Sequence, residues 1–320
     1  MRKFLLRLVT AAALVSLLSG TARAAETLIP VGRVVGLELL SDTVTVAAFE
    51  EDSPGEAAGL QVEDRILSID GKAVTATQDV REHLNRSQGT VKITVSRGET
   101  VTTVRAEPAI TPHGPKLGVY LRQGVTGIGT VTFYDPDTET FGALGHGVND
   151  NSGALLHLRS GNVYSARITS VRKGKSGEPG QLMGTLTSPE PIGLLRKNTQ
   201  QGVFGKTRLP FSGEPMPVAN SSQIHCGPAT ILSTIQGESP REYSVEILKL
   251  YPTPTRTGRN LLLRITDPQL LESTNGIVQG MSGSPIIQDG KLVGAVTHVL
   301  VNDPTTGYGI FIENMLDAAA

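Results

Sequence analysis

A serine enclosed by glycines is the first candidate for chemistry in this chain. Ser282 lies in the string GMSGSP at residues 280–285, directly before an apolar stretch that predicts a strand. A serine nucleophile must stand clear of its own backbone, beside N–H groups that can hold a developing oxyanion. Neighbouring glycines give the backbone the angles and close approach that such a loop needs. The same residue types also suit a tight turn, so the serine indicates catalysis only if it has partners elsewhere.

His146 is the first candidate for the general base that would activate this serine. It follows a predicted strand in the string GALGHG, where glycines again shape the backbone around one side chain. A histidine in an ordinary turn would also suit this setting. His298, in the predicted strand after Ser282, is the second candidate, although the alternation along that strand favours a structural role.

Asp267 is the candidate for the carboxylate that would orient the base. It ends an apolar stretch and lies 15 residues before Ser282. A carboxylate there would accept a hydrogen bond from the second ring nitrogen of a histidine and fix its tautomer. An aspartate before a proline is also common in turns, and Asp150 and Asp303 are competing candidates.

The composition favours many short strands over long helices. The chain has 320 residues, with 36 glycines, 19 prolines and no tryptophan, and its length suits two domains. A net charge of −1 gives no reason to expect a nucleic-acid partner. The single cysteine, Cys226, cannot form an internal disulfide, and no group of residues has the spacing of metal ligands. We therefore expect a fold that depends on packing and a reaction that needs no cofactor.

Residues 1–24 predict an export signal. Three basic residues start the chain, an apolar run follows at residues 8–18, and the string ARA at residues 22–24 fits the small-x-small rule for cleavage. The alternative is an uncleaved membrane anchor. Both interpretations place the rest of the chain outside the cytoplasm.

Residues 30–108 show a regular order of short elements. The predicted elements are, in order, a strand at residues 43–49, one helical turn at 54–58, a strand and turn at 64–72, a helix at 77–85, and strands at 91–95 and 100–106. Ser53 is the expected N-cap of the helical turn. With the string SPGEAAGLQVEDRILSIDGKAV at its centre, this region resembles a PDZ domain.

The resemblance to a PDZ domain implies a site for peptides. Such domains take an extended peptide as an added strand. Gly36, Leu37 and Leu39 fall on the expected loop and ligand-pairing strand, so they are the predicted peptide contacts. The alternative is a PDZ fold used as a spacer or docked on the chain's own other half. The proline-rich residues 109–116 are the predicted linker.

Residues 117–320 alternate short apolar stretches with glycine and proline, which predicts an all-β barrel or sandwich. The order of His146, Asp267 and Ser282 resembles that of the chymotrypsin-like peptidases, whose fold is a double β-barrel. The expected fold class is therefore mainly β, with an N-terminal PDZ domain (α+β) followed by a chymotrypsin-like double β-barrel peptidase domain.

The same resemblance assigns further roles in the nucleophile loop. It implies that the N–H groups of Gly280 and Ser282 form the oxyanion hole, and it makes Ser284 the lesser candidate for the nucleophile. Met281 stands where those peptidases have an aspartate that pairs with a new N-terminus. Activation of that kind is therefore not expected here.

The whole set of motifs resembles one family. The export signal, the PDZ-like region and the strings GALGHG, ITDPQLLESTNGIVQGMSGSPI and VGAVTHVLVNDPTTGYGI are similar to those of the stage IV sporulation protein B peptidases. This resemblance implies a serine endopeptidase exported into the space between the mother-cell and forespore membranes. It implies cleavage of itself and of a membrane-bound regulator of an intramembrane protease, so that a late sigma factor is processed.

Two other functions fit parts of the sequence. One is a non-catalytic exported adaptor, in which the PDZ domain binds partner tails and the β domain is a platform. The intact order of histidine, carboxylate and serine argues against it. The other is a general envelope quality-control protease, which shares the chemistry but would degrade unfolded proteins broadly.

Overall fold

The computed structural model describes residues 27–151, 153–251 and 259–320. Residues 1–24, which predict an export signal or an N-terminal anchor, lie outside this part of the chain. Strands make up 56% of the structure and helices 11%, so the predicted fold class is confirmed. In the described ranges, no helix has both the length and the apolar character to cross a membrane.

The described residues form twenty strands and four α-helices. The first nine strands are β1 (Thr27–Pro30), β2 (Val34–Phe49), β3 (Arg65–Ile69), β4 (Lys72–Ala73), β5 (Val91–Arg97), β6 (Thr100–Ala106), β7 (Ala109–Thr111), β8 (Gly114–Lys116) and β9 (Val119–Asp135). The others are β10 (Thr140–Ala143), β11 (Ser160–Arg172), β12 (Gln181–Thr199), β13 (Gly202–Thr207), β14 (Met216–Pro217), β15 (Gly227–Ser233), β16 (Arg241–Leu250), β17 (Leu261–Ile265), β18 (Pro285–Gln288), β19 (Lys291–Leu300) and β20 (Asp303–Phe311). The helices are α1 (Pro54–Ala57), α2 (Thr77–Arg86), α3 (Pro268–Thr274) and α4 (Ile312–Ala319).

Two six-stranded barrels form the larger part of the structure. The first closes in the order β9-β10-β13-β12-β11-β2, because β2 pairs with β9 as well as with β11. The second is a closed barrel in the order β15-β16-β17-β20-β19-β18. Each barrel has an apolar core of its own, which holds Phe141 and Val203 in the first and Ile231 and Met281 in the second.

The PDZ domain is inserted into the first barrel through two long strands. The first half of β2 pairs with the second half of β9 inside the barrel, and the remaining halves pair again inside the PDZ domain. The PDZ half of β2 also pairs with β3, which continues the sheet to β5 and β6. The two domains are therefore joined by a pair of hydrogen-bonded strands.

The local signals for the PDZ elements match the structure. Ser53 caps α1, because its side chain accepts a hydrogen bond from the N–H of Glu56. Val80 and Leu84, one turn apart on α2, are both buried against the PDZ core.

Two boundaries differ from those expected from the sequence. Residues 34–40 belong to the barrel and not to the PDZ domain, although the sequence starts that domain at residue 30. The predicted linker at residues 109–116 forms the hairpin of β7 and β8. The sequence could not show that residues 34–40 belong to the barrel, because alternating apolar residues indicate a strand without indicating the sheet that it joins.

The predicted peptide contacts Gly36, Leu37 and Leu39 need correction for the same reason. All three lie in the barrel half of β2, with β9 on one side and β11 on the other. Both edges of the strand are hydrogen-bonded, so no peptide can be added there. The prediction of a peptide-binding edge at these residues is wrong.

Candidate active site

The nucleophile loop lies where the two barrels meet. It connects α3 to β18, and Gly283 within it has a φ of +97°. A Cβ on Gly283 would lie 2.0 Å from the carbonyl oxygen of Thr130 and 2.6 Å from the nitrogen of Leu144. Only glycine permits this approach, which brings Ser282 against the first barrel.

Thr130 on β9 fixes the backbone of this loop. Its hydroxyl donates a hydrogen bond to the carbonyl of Gly280 at 2.7 Å, and its N–H donates to the carbonyl of Ser282 at 3.1 Å. Within the described residues, the N–H groups of Gly280 and Ser282 themselves donate no hydrogen bond. These two donors are the ones predicted for the oxyanion hole.

The candidate base follows β10 on a turn of unusual conformation. Leu144 has a φ of +69°, which costs a non-glycine residue about 1–3 kcal/mol unless its surroundings hold it. The N–H of Leu144 donates to the carbonyl of Thr130 at 3.2 Å, and this bond helps to hold the turn. Gly145 then packs against Thr297 of the second barrel, so that His146 lies at the junction of the barrels.

The hydrogen bonding of His146 fixes the tautomer that a base requires. Its Nδ1 lies 2.9 Å from the carbonyl oxygen of Gly147. A carbonyl can only accept, so Nδ1 carries the proton of the neutral ring and Nε2 is free to take one. Burial lowers the pKa of His146 below its ordinary value of 6.5, and the Gly147 carbonyl partly opposes this. The ring is therefore neutral at neutral pH.

Ser282 and His146 line one cavity of about 240 Å³. The walls are mainly apolar and come from both barrels: Leu37, Leu39, Val125, Gly127, Ile128, Leu144, Val148, Gln279 and Gly280. The hydroxyl of Ser282 donates to the carbonyl of Thr297 at 2.7 Å. For Ser282 to act as a nucleophile, its hydroxyl would have to turn from Thr297 to His146, a rearrangement consistent with the loose catalytic geometry of many unliganded sites.

The structure does not bring Asp267 to His146. The carboxylate of Asp267 caps α3, where it accepts from the N–H of Leu270 at 2.9 Å and from that of Ser244 at 3.4 Å. No carboxylate is among the groups that shift the pKa of His146. The sequence carried a signal for this role, because an aspartate followed by proline is a common start of a helix.

The other candidate residues from the sequence lie at separate positions in the fold. Ser284 is fully buried, and its hydroxyl donates to that of Ser233 at 3.0 Å. Asp303 accepts from the hydroxyls of Thr305 and Thr306 at the start of β20, and Asp150 accepts from the N–H of Ala154. His298 alone among these candidates faces the base, with its ring centroid 5.1 Å from that of His146.

The PDZ domain contains a groove that the sequence did not indicate. It has a volume of about 390 Å³ and lies between α2 and the start of β9. Val80 and Leu84 form one wall, and Leu117, Gly118 and Val119 the other. A glycine between two large apolar residues is the usual form of the PDZ carboxylate-binding loop, and these last three residues fit it better than the string around Gly36.

The comparison with protein families agrees with this arrangement. Residues 113–316 match the family described as SpoIVB peptidase S55, and residues 45–97 match the PDZ domain. The chain belongs to the SpoIVB peptidase S55 family. The matched S55 region contains His146, Asp267 and Ser282.

Curated proteins described as putative zinc metalloproteases also show similarity to this chain. The putative zinc metalloprotease Atu1380 of Agrobacterium fabrum is 26% identical over 70% of this chain and 50% of that protein. The putative zinc metalloprotease R01501 of Rhizobium meliloti is 29% identical over 44% of this chain and 40% of that protein. The chain thus spans half or less of the length of these relatives. In the part of the chain that the structure describes, no three histidine, cysteine or acidic side chains form a cluster that could hold a metal.

Solved structures show similarity to parts of the S55 chain. The PDZ domain of the SdrC-like protein of Listeria monocytogenes is 30% identical over 25% of this chain and 87% of that one, with a TM-score of 0.23. An inactive serine-to-alanine mutant of Rv3671c from Mycobacterium tuberculosis is 16% identical over 61% of this chain and 82% of that one, with a TM-score of 0.33.

Proposed function

We propose that the protein is a serine endopeptidase, with Ser282 as the nucleophile and His146 as the general base. One observation carries the proposal: a buried, neutral histidine of the required tautomer shares an apolar cavity with a glycine-flanked serine. The two N–H groups without partners, on Gly280 and Ser282, belong to the same cavity. Membership of a peptidase family supports the same chemistry.

In the proposed reaction these groups act in turn. Ser282 Oγ forms a bond to the peptide carbonyl carbon while its proton passes to Nε2 of His146. The carbonyl oxygen becomes an oxyanion, which the N–H groups of Gly280 and Ser282 stabilise. His146 then gives the proton to the leaving amine as the C–N bond breaks. Water, deprotonated by His146, releases the acyl group as a carboxylic acid and restores Ser282.

The biological role proposed for this activity is signalling during spore formation. The enzyme is exported to the space between the mother-cell and forespore membranes and cleaves its own chain near the N-terminus. It also cleaves a membrane-bound regulator that restrains an intramembrane protease, so that a late sigma factor is processed. The resemblance of the sequence and the S55 match support this role. The groove between α2 and β9 would bind a peptide, from the chain itself or from the substrate.

A serine substitution tests the enzyme and its role together. We expect Ser282→Ala to abolish both self-cleavage and cleavage of an added peptide, and sigma-factor processing to stop in spore-forming cells that carry it. Ser284→Ala is the matched control, because Ser284 lies two residues away in the core of the second barrel. It should retain cleavage once folding is checked by circular dichroism. Turnover by a folded Ser282→Ala variant would contradict the assignment, and wild-type protein without turnover would favour an adaptor.

A further inference from the structure

A second cavity, here called the interdomain cavity, adjoins the catalytic cavity that holds Ser282. It has a volume of about 250 Å³ and lies between the first barrel and the PDZ domain. Val125 on β9 lines both cavities. Every second residue of β2 from Leu37 to Thr45 also lines one of them. Leu37 and Leu39 line the catalytic cavity, and the next three residues of this alternation line the interdomain cavity. The two cavities are therefore consecutive parts of one cleft.

The loop that follows the candidate base passes along both cavities in the same way. Val148 lines the catalytic cavity, and Asp150 and Asn151 line the interdomain cavity. On β9, the lining residues of the interdomain cavity fall within 122–125 and those of the catalytic cavity within 125–128. The centres of these two ranges are about three residues apart, which is about 10 Å along a strand. A peptide that follows the cleft from the catalytic cavity therefore places a side chain in the interdomain cavity about three residues from the scissile bond.

The interdomain cavity is polar, whereas the catalytic cavity is mainly apolar. Its floor is a row of residues paired across four strands of the PDZ sheet: Arg122 on β9, Thr45 on β2, Arg65 on β3 and Ser96 on β5. Residues that lie directly opposite each other on paired strands point to the same face of a sheet. All four line the cavity, so the PDZ sheet presents two guanidinium groups to the cleft.

These two guanidinium groups have different surroundings. Arg122 donates to both carboxylate oxygens of Glu63, at 2.9 and 3.0 Å, so its charge is compensated. Arg65 forms no ion pair and no side-chain hydrogen bond with any residue that the structure describes. The other charged group that lines the cavity is the carboxylate of Asp150, which accepts from the N–H of Ala154 within its own turn at 3.2 Å. Arg65 is therefore the cation of this cavity that is available to a ligand.

We propose that the interdomain cavity is a substrate subsite, in which Arg65 binds an acidic side chain about three residues from the scissile bond. A guanidinium suits this role because its N–H groups match the two oxygens of a carboxylate. The proposal rests on the proposed peptidase function and adds a substrate preference to the same site. Because Arg65 belongs to the PDZ domain, that domain selects substrates within the catalytic cleft, apart from its own groove between α2 and β9.

A series of fluorogenic peptides tests the proposal with the full chain. A single glutamate is moved through a peptide that the enzyme cleaves at one bond, and each position is compared with glutamine and with lysine. The wild type should prefer glutamate over glutamine at one position, about three residues from the scissile bond, by about fivefold in kcat/KM, which is the upper range for an exposed ion pair. Added salt should reduce this preference, because it screens exposed charges.

Variants of Arg65 then assign the preference to this residue. Arg65→Gln should abolish it, and Arg65→Glu should reverse it in favour of lysine. Arg105→Gln is the matched control, because Arg105 is an exposed arginine of the same domain that lines neither cavity, and this variant should keep the wild-type preference.

The proposal is overturned if the wild type shows no preference for glutamate at any position, if it prefers lysine at this one, or if folded Arg65→Gln keeps the preference. Failure of the proposed function would appear differently, as cleavage by Ser282→Ala or as no cleavage of any peptide by the wild type. That result would contradict the peptidase and this subsite together.

Discussion

The hydroxyl of Thr130 provides a sharp test of how the nucleophile loop is held. Thr130 is fully buried on β9, and its hydroxyl is the hydrogen-bond donor to the carbonyl of Gly280 at 2.7 Å. Thr130→Val replaces this hydroxyl with a methyl group of similar size and leaves the carbonyl unpaired. Leaving a buried acceptor unsatisfied costs about 1–3 kcal/mol, so the free energy of unfolding should fall by that amount.

The same strand provides a matched control at Thr132. This residue is also fully buried, but its hydroxyl is one of the buried polar atoms without a partner. Thr132→Val removes a desolvated hydroxyl that gains nothing in return, so stability should stay the same or rise by about 1 kcal/mol. Two identical substitutions, two residues apart, should therefore change the free energy of unfolding in different directions or by clearly different amounts.

The effect on catalysis follows from the peptide that Thr130 holds. Gly280 contributes one N–H to the proposed oxyanion hole, and loss of a whole donor of this kind costs about 10²–10³ in kcat. Thr130→Val loosens this donor without deleting it, so kcat should fall by about 10-fold and KM should change little. Thr132→Val should leave both constants near the wild-type values.

Urea denaturation and steady-state cleavage of a fluorogenic peptide measure these effects. Thr130→Ser keeps the hydroxyl and should recover most of kcat. Equal losses of stability in the two valine variants would refute the claim that the hydrogen-bonded hydroxyl of Thr130 stabilises the fold and the unpaired hydroxyl of Thr132 does not. An unchanged kcat in Thr130→Val would show that this hydrogen bond does not position the oxyanion hole.

Three further predictions concern Asp267 and the histidine pair. Asp267→Ala should lower the free energy of unfolding by about 1 kcal/mol because the cap of α3 is lost. Asp267→Ser and Asp267→Asn keep a capping side chain and should retain kcat. A loss of kcat in folded Asp267→Asn would instead indicate a catalytic carboxylate. Protonated His146 cannot act as the base, so kcat/KM should fall in acid with a midpoint below pH 6.5, and a midpoint above that value would contradict the lowered pKa. The pKa of His298 is 6.5 in the unfolded chain and about 4 in the folded protein, so the unfolded state binds this proton more readily as the pH is lowered. The free energy of unfolding should therefore fall as the pH is lowered from 6.5 to 4, with a loss of about 2 kcal/mol from this group at pH 5. His298→Asn should remove this part of the pH dependence.

The sequence predicted the features of this protein that depend on residues close together in the chain. The cap at Ser53, the buried face of α2 and the glycines around His146 and Ser282 act within a few residues, and the structure contains them as expected. The pairing of β2 with β11 joins residues more than a hundred positions apart. The periodicity of a strand does not indicate its partner, so the sequence could not show that the strand with Gly36, Leu37 and Leu39 is paired on both edges.

The positions of Asp267 and His298 could not be predicted for a related reason. Asp267 satisfied both the order expected of a catalytic carboxylate and the local signal of a helix cap, and the structure uses the second. His298 alternates like a structural residue of β19, yet the junction of the two barrels places it beside His146. The contacts of Thr130 could not be predicted either, because a threonine within an apolar strand gives no indication of the loop that it will contact.

Labelling with a fluorophosphonate tests the central claim most directly, because the reagent bonds to an activated serine. Wild-type protein should form one adduct, which peptide mass spectrometry should locate on Ser282. Ser282→Ala should form none, and His146→Ala should react far more slowly because the base is absent. An adduct on another serine, or equal labelling of the Ser282→Ala variant, would contradict the account.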